Sequence, residues 1–229
     1  MHKPIFRLYC SEAYLYAHRG SIFPYPMEVE RLNGFDGDIQ LQIGDRQNRD
    51  LDGIEMLPIT VPASQTSLHM PIYLPESMHI NVQSQSQLYT QGFARFRDKH
   101  GRPQSILVVA EKRNMLRTRP PVVTLTAVDS RVDVVPGQPA RLRLRLKRTS
   151  NFPGPLRVDL WKSSRERMSV EPFVIRAGSS DAVVRVMPPA DLAPGDEVRL
   201  TFRGQGDLSD GTVIVSEAHF MLKCAVSGG

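Results

Sequence analysis

Cysteine is almost missing from this chain: its 229 residues include two, Cys10 and Cys224, near opposite ends. Two lone thiols so placed make no disulfide framework, and no cysteine pair falls at zinc spacing, so they leave the redox compartment open. The six histidines (His2, His18, His69, His79, His100 and His219) are scattered and form neither H-E-x-x-H nor H-x-H. There is no G-x-S-x-G nucleophile turn and no glycine-rich phosphate loop. No run of about 18 apolar residues occurs, so no segment reads as a membrane-spanning helix. Residues 1–10 are interrupted by Arg7 and already read as a strand, which argues against a signal peptide. With no catalytic motif, the expectation is a non-enzyme with no cofactor, no bound metal and no small-molecule substrate. An enzyme with an unrecognised site is the third-ranked reading.

Aromatic residues are scarce, at 7%, whereas there are 18 prolines and 16 glycines. That balance favours many short strands joined by turns over a helical bundle. Hydrophobic residues at 41% and charged residues at 23% suit an ordinary folded chain. Lysine and arginine against aspartate and glutamate number 13 to 12 over residues 1–118 and 16 to 12 over 119–229, so most of the net charge of +5 belongs to the second half.

The chain uses one stretch twice. Residues 31–43, RLNGFDGDIQLQI, align with 148–160, RTSNFPGPLRVDL, at an offset of 117. Each is a strand end, a turn built on Phe-x-Gly and a second strand of alternating apolar residues. These are Ile39, Leu41 and Ile43 in the first copy and Leu156, Val158 and Leu160 in the second. The offset extends upstream, with residues 4–8 over 121–125 and Gly20 over Gly137. It returns as 114 for residues 59–72 over 173–186. The expected domains are 3–117 and 120–226, each near the usual domain size. Because the first copy is complete from its first strand, the sequence is expected to start at a domain edge of a modular protein. The junction at 113–121 ends in two prolines and is expected to be short and stiff.

Each copy reads as about seven strands. The first strand is interrupted near Ser11-Glu12 and near Asp129-Ser130. The second alternates Tyr25, Met27 and Val29 in one copy and Leu142, Leu144 and Leu146 in the other, which means one buried face and one wet face. A terminal hairpin turns at residues 98–101 and 207–211. The polar tract 81–88 has no counterpart in the second copy and reads as a longer loop or ragged edge strand. The count and spacing are those of an immunoglobulin-like sandwich. Cys10 stands where the other copy has Ala127, which marks a small buried residue rather than a nucleophile.

Three groups of residues are candidate sites. Asn48, Asp50 and Asp52, followed by Gly53, match the first half of a calcium loop. Its twelfth position is Ile59 rather than a bidentate glutamate, and Arg46 and Arg49 offset the charge, so a solvated loop is the expected reading. Arg141, Arg143, Arg145 and Lys147 form a basic ladder on one strand face, beside Arg148. It could meet an anionic polymer, with binding that weakens steeply in salt. It also suits a solvent face whose long charged stems cover apolar surface and discourage edge pairing. No aromatic residue interleaves with the ladder, which disfavours nucleic acid. Phe35, Gly37, Phe152 and Gly154 are read as structural, the rings tucking into the end of each core and the glycines serving the turn. Between copies Phe and the second Gly persist while Asp36 and Asp38 become Pro153 and Pro155.

On the run from Phe35 or Phe152 through Gly37 or Gly154, the small-residue turns Ala63-Ser64 and Ala177-Gly178, and the Pro194-Gly195 connection, both copies resemble the immunoglobulin-like modules found in tandem in large exported bacterial proteins, notably those of planctomycetes. The first copy departs at residues 75–78, which lack the Pro-Gly pair. The resemblance implies an extracytoplasmic, non-catalytic spacer or interaction segment, whose partners are other domains of a larger chain or envelope proteins. It carries over no ligand residues.

Overall fold

Strict alternation of leucine with arginine leaves the chain one way to bury its apolar side chains, as a strand with one face inward. In the computed structural model, which describes residues 4–44, 53–78, 89–111, 115–149, 152–166, 168 and 170–225, that logic runs through two all-β units, Met1–Pro120 and Pro121–Gly229. No helix occurs among the described residues.

The first unit holds β1 (Phe6–Tyr9), β2 (Tyr14–His18), β3 (Ser21–Arg31), β4 (Ile39–Gly44), β5 (Ile59–Val61), β6 (Ser67–Leu74), β7 (Tyr89–Arg97), β8 (Pro103–Val109) and β9 (Met115–Arg119). Antiparallel pairs join β1, β3 and β6 into one sheet. A second sheet runs β5-β4-β7-β8. Their facing residues, including Phe6, Tyr25, Met27 and Ile72 from one sheet and Ile39, Leu41 and Ala94 from the other, form one core. The first strand of the fold breaks after Tyr9, and its continuation β2 pairs in parallel with β9. Part of the stretch expected to be a plain junction is therefore a strand of the first unit.

The second unit repeats the plan with β10 (Val123–Ala127), β11 (Arg131–Val134), β12 (Ala140–Arg148), β13 (Leu156–Ser163), β14 (Phe173–Ile175), β15 (Asp181–Val186), β16 (Glu197–Asp207) and β17 (Val213–Cys224). One sheet is β10-β12-β15 and the other β14-β13-β16-β17, with β11 parallel to β17. Leu142 and Leu144 are fully buried, so truncating either to alanine costs about 2–5 kcal/mol. Each unit is an immunoglobulin-like antiparallel sandwich whose first strand changes sheets.

The repeated stretch is a frame held by matching hydrogen bonds. Leu32 N–H donates to Ile5 O and Thr149 N–H to Val122 O, both at 2.9 Å. Phe35 N–H donates to Leu32 O at 3.0 Å and Phe152 N–H to Thr149 O at 3.2 Å. Arg31 Nη2 donates to Pro62 O at 2.8 Å, and Arg148 Nη2 to the matching Arg176 O at 3.1 Å. These carbonyls also close the small-residue turns, accepting from Gln65 N–H and Ser179 N–H. Burial holds the Arg148 guanidinium below its ordinary pKa.

Candidate functional site

The basic ladder lies on β12. Arg141, Arg143, Arg145 and Lys147 are exposed on the face opposite Leu142, Leu144 and Leu146. The strand is the middle one of three, between β10 and β15, so its charges guard no sheet edge. Two of the four are neutralised. Arg143 Nη2 lies 2.6 Å from Asp129 Oδ2, and Arg145 Nε lies 3.4 Å from Asp181 Oδ1. Asp181 is held below the usual carboxylate range, first by the hydroxyl of Ser180 and then by Arg145, against an opposing desolvation. Arg141 faces Arg185 across β15 instead. Arg141, Lys147 and Arg185 make no ion pair among the described residues.

Asn48, Asp50 and Asp52 lie outside the described residues. Among the described residues, no group of three or more histidine, cysteine, aspartate or glutamate side chains is placed to hold a metal ion. His18 Nδ1 sits 2.7 Å from Pro120 O, and His219 Nδ1 sits 3.1 Å from Thr201 Oγ1. Cys10 and Cys224 are both buried thiols.

The Phe-x-Gly ends differ in depth. Phe152 is 2% exposed and belongs to its core, whereas Phe35 is only partly buried and stacks on Phe6 with ring centroids 6.1 Å apart. The left-handed backbone of the first turn falls on Asn33 and Gly34, not on Gly37. Gly37 is required for a different reason: a Cβ there would meet the Phe35 ring at 2.8 Å. Beside Phe35 lies an open cleft of about 750 Å³, bordered by Ile5, Arg95, Asp98 and His100. A second of about 970 Å³ in the other unit is bordered by Arg165, Glu166, Met187, Pro189 and Asp191. Arg165 there is already paired with Asp196 at 2.8 Å.

Two aromatic and basic clusters escape a linear reading. The single tryptophan, Trp161, is the extra residue of a bulge between Leu160 and Lys162, and it is 49% exposed. The Arg203 guanidinium lies 3.7 Å over its ring, and Glu217 neutralises that guanidinium at 2.6 Å. In the first unit, β2 and β9 bring Tyr14 and Tyr16 alongside Arg117 and Arg119. Arg117 stacks over Tyr14 at 5.8 Å from the centroid and Arg119 over Tyr16 at 4.9 Å. The one signal in the sequence is a Tyr-x-Tyr and an Arg-x-Arg, each at strand spacing, about a hundred residues apart.

No protein-family model matches the chain, and no curated protein matches it. Among solved structures it is similar to the D00-D0 domain of intimin, at 12% identity, covering 94% of this chain and 99% of that one with a TM-score of 0.28. It is also similar to domains 4 and 5 of the S-layer protein SbsC, at 14% identity, covering 96% and 98% with a TM-score of 0.31. A marsupial T cell receptor is similar at 10% identity, covering 96% of this chain and 73% of that one with a TM-score of 0.30.

Proposed function

We propose that the chain is a non-enzymatic tandem segment that spaces or docks parts of a larger extracytoplasmic bacterial protein, of the exported tandem-module type that its sequence resembles. The supporting observation is what the two copies share. The frame repeats down to the hydrogen bonds of Arg31 and Arg148, while the polar surfaces diverge. Tyr14 and Tyr16 align with Arg131 and Asp133, and Glu28 and Glu30 with Arg145 and Lys147. A scaffold kept constant under changing surfaces suits spacing and docking. Fractionation of source cells with an antibody to the purified chain tests it. The expected antigen is larger than 25.7 kDa and sits in the envelope or medium; a 25.7 kDa cytosolic antigen would reject the proposal.

A second reading, an anionic-polymer module on the second unit, is favoured by one observation: Arg141 and Arg185 face each other with no carboxylate between them among the described residues. Heparin chromatography at two salt concentrations tests it, since ionic binding to a polyanion falls steeply with salt. Passage without retention at low salt removes this reading.

A further inference from the structure

The β2 and β9 pair is short, parallel and half wet. Leu15, Ala17 and Leu116 point into the core. Tyr14 and Tyr16 stand on the opposite face, 55% and 50% exposed. Side chains two residues apart on a strand are spaced by roughly 6.6 Å and neighbouring strands by about 4.8 Å. The two tyrosines and two arginines thus make a small ladder of alternating rings and cations. In the register, Tyr16 lies beside Arg117 and His18 beside Arg119, so each arginine leans back along β9 to the ring one rung earlier.

What holds these guanidinia decides what they can do. Three surface arginines near a ring or on a strand face already have a carboxylate partner: Arg203 has Glu217, Arg143 has Asp129 and Arg145 has Asp181. Arg117 and Arg119 have none among the described residues. A guanidinium stacked on a ring is held by its flat face, and its in-plane N–H fork stays free to take an oxyanion in bidentate fashion. Stacking also removes part of the rotamer freedom that a loose surface arginine would lose on binding. The phenol hydroxyls beside the forks add hydrogen-bonding groups.

We propose that Tyr14, Tyr16, Arg117 and Arg119 form a docking strip for an acidic polysaccharide, a hydroxyl-rich chain bearing carboxylates along its length. The arginine forks pair with carboxylates and the exposed halves of the tyrosines lie against sugar rings and hydroxyls. A nucleic acid fits less well, because bases need open ring faces and the arginines cover one face of each ring. A folded protein partner fits less well because hot-spot tyrosines and arginines sit in desolvated pockets, and neither of the two clefts described above borders this strip. The other unit cannot offer the same surface: its aligned positions, Arg131 and Asp133, carry opposite charges and no ring. The strip does not depend on the compartment argued above, so cell fractionation and polymer binding fail independently.

The test is binding of the full chain to immobilised polygalacturonate at low salt, with dextran, poly-glutamate and oligothymidylate as comparison probes. Binding to polygalacturonate and not to dextran is expected. Arg117→Gln with Arg119→Gln weakens it by about tenfold or more, as loss of two charge-assisted contacts requires. Tyr14→Ala with Tyr16→Ala weakens it by about threefold with the charge unchanged, since the rings position the cations and touch the sugar but carry no charge themselves. Arg141→Gln with Arg185→Gln leaves it unchanged. All these side chains are exposed, and an unshifted melting curve confirms that each variant is folded. No binding at low salt overturns the proposal, as does binding insensitive to the β2 and β9 variants or lost in the β12 and β15 variant. Equal affinity for poly-glutamate or oligothymidylate also overturns it, in favour of an acidic peptide or a nucleic acid.

Discussion

A Cβ added to Gly206 would fall 2.8 Å from Cε2 of Phe152, and the aligned residue in the first unit, Ala94, carries that Cβ. The alignment follows from register: Leu41 pairs with Gly92 as Val158 pairs with Gly204, and the residues two further along are Ala94 and Gly206. A methyl group at this position leaves less room than Gly206 gives Phe152, which is the expected reason that Phe35 rides higher, on Phe6. Gly206→Ala should push Phe152 outward and cost about 1–3 kcal/mol, as overpacking does. Phe152→Ala should cost about 3–5 kcal/mol, and Phe35→Ala distinctly less because its ring is only partly buried. Denaturant unfolding with hydrogen exchange to assign each loss to its unit checks the order. Equal costs for the two phenylalanines would refute the account.

Most of the frame was legible in sequence because alternation is a local signal. Leu142, Leu144 and Leu146 are buried, and Arg141, Arg143, Arg145 and Lys147 face water, as period two requires. The depth difference between Phe35 and Phe152 was not legible, because the positions it is expected to depend on, 94 and 206, lie far along the chain. The strip of Tyr14, Tyr16, Arg117 and Arg119 was hidden for a similar reason. Neither half is unusual alone, and only the parallel pairing of β2 with β9 joins them. The partial neutralisation of the basic ladder likewise needs Asp129 and Asp181, brought in from a turn and a neighbouring strand.

Ser216 is a polar residue in an apolar layer, 1% exposed, and its Oγ accepts from the backbone N–H of Leu125 at 2.7 Å. That bond ties the first strand of the second unit to the opposite sheet. Ser216→Ala removes the acceptor and leaves a buried N–H unpaired, which costs about 1–3 kcal/mol. Ser216→Thr keeps the hydroxyl and should recover most of the loss if the added methyl is accommodated. The check is the denaturation midpoint together with hydrogen exchange at Leu125, which should quicken in the alanine variant alone.

Asp181 gives a pH signature. Its carboxyl sits below the ordinary carboxylate value through the hydroxyl of Ser180 and through the hydrogen bond and charge of Arg145. A carboxyl whose pKa is depressed on folding contributes stability above its unfolded value, and that contribution is lost as pH falls through the folded value. The carboxyl resonance of Asp181, followed by NMR, should therefore titrate at lower pH than a free aspartate. Ser180→Ala and Arg145→Gln should each move it upward. A substitution that leaves the titration in place would clear that partner of any part in the shift.

Arg141 and Arg185 oppose one another on adjacent strands, and like charges directly opposite are destabilising. Arg141→Glu converts the pair to opposite signs and should stabilise the second unit by about 0.2–1 kcal/mol at low ionic strength. High salt should erase the gain, because both side chains are exposed. Arg143→Glu on the same face should do the opposite, since it abandons Asp129 and sets two carboxylates together. Thermal melts of both variants at low and high salt separate charge from packing. If Arg141→Glu is destabilising at both salt concentrations, the aliphatic stem of Arg141 matters more than its charge. The same variant reports on the polyanion reading of the second unit: earlier elution from heparin than the parent chain is expected if Arg141 and Arg185 take part, and an unchanged elution position would clear them of that role.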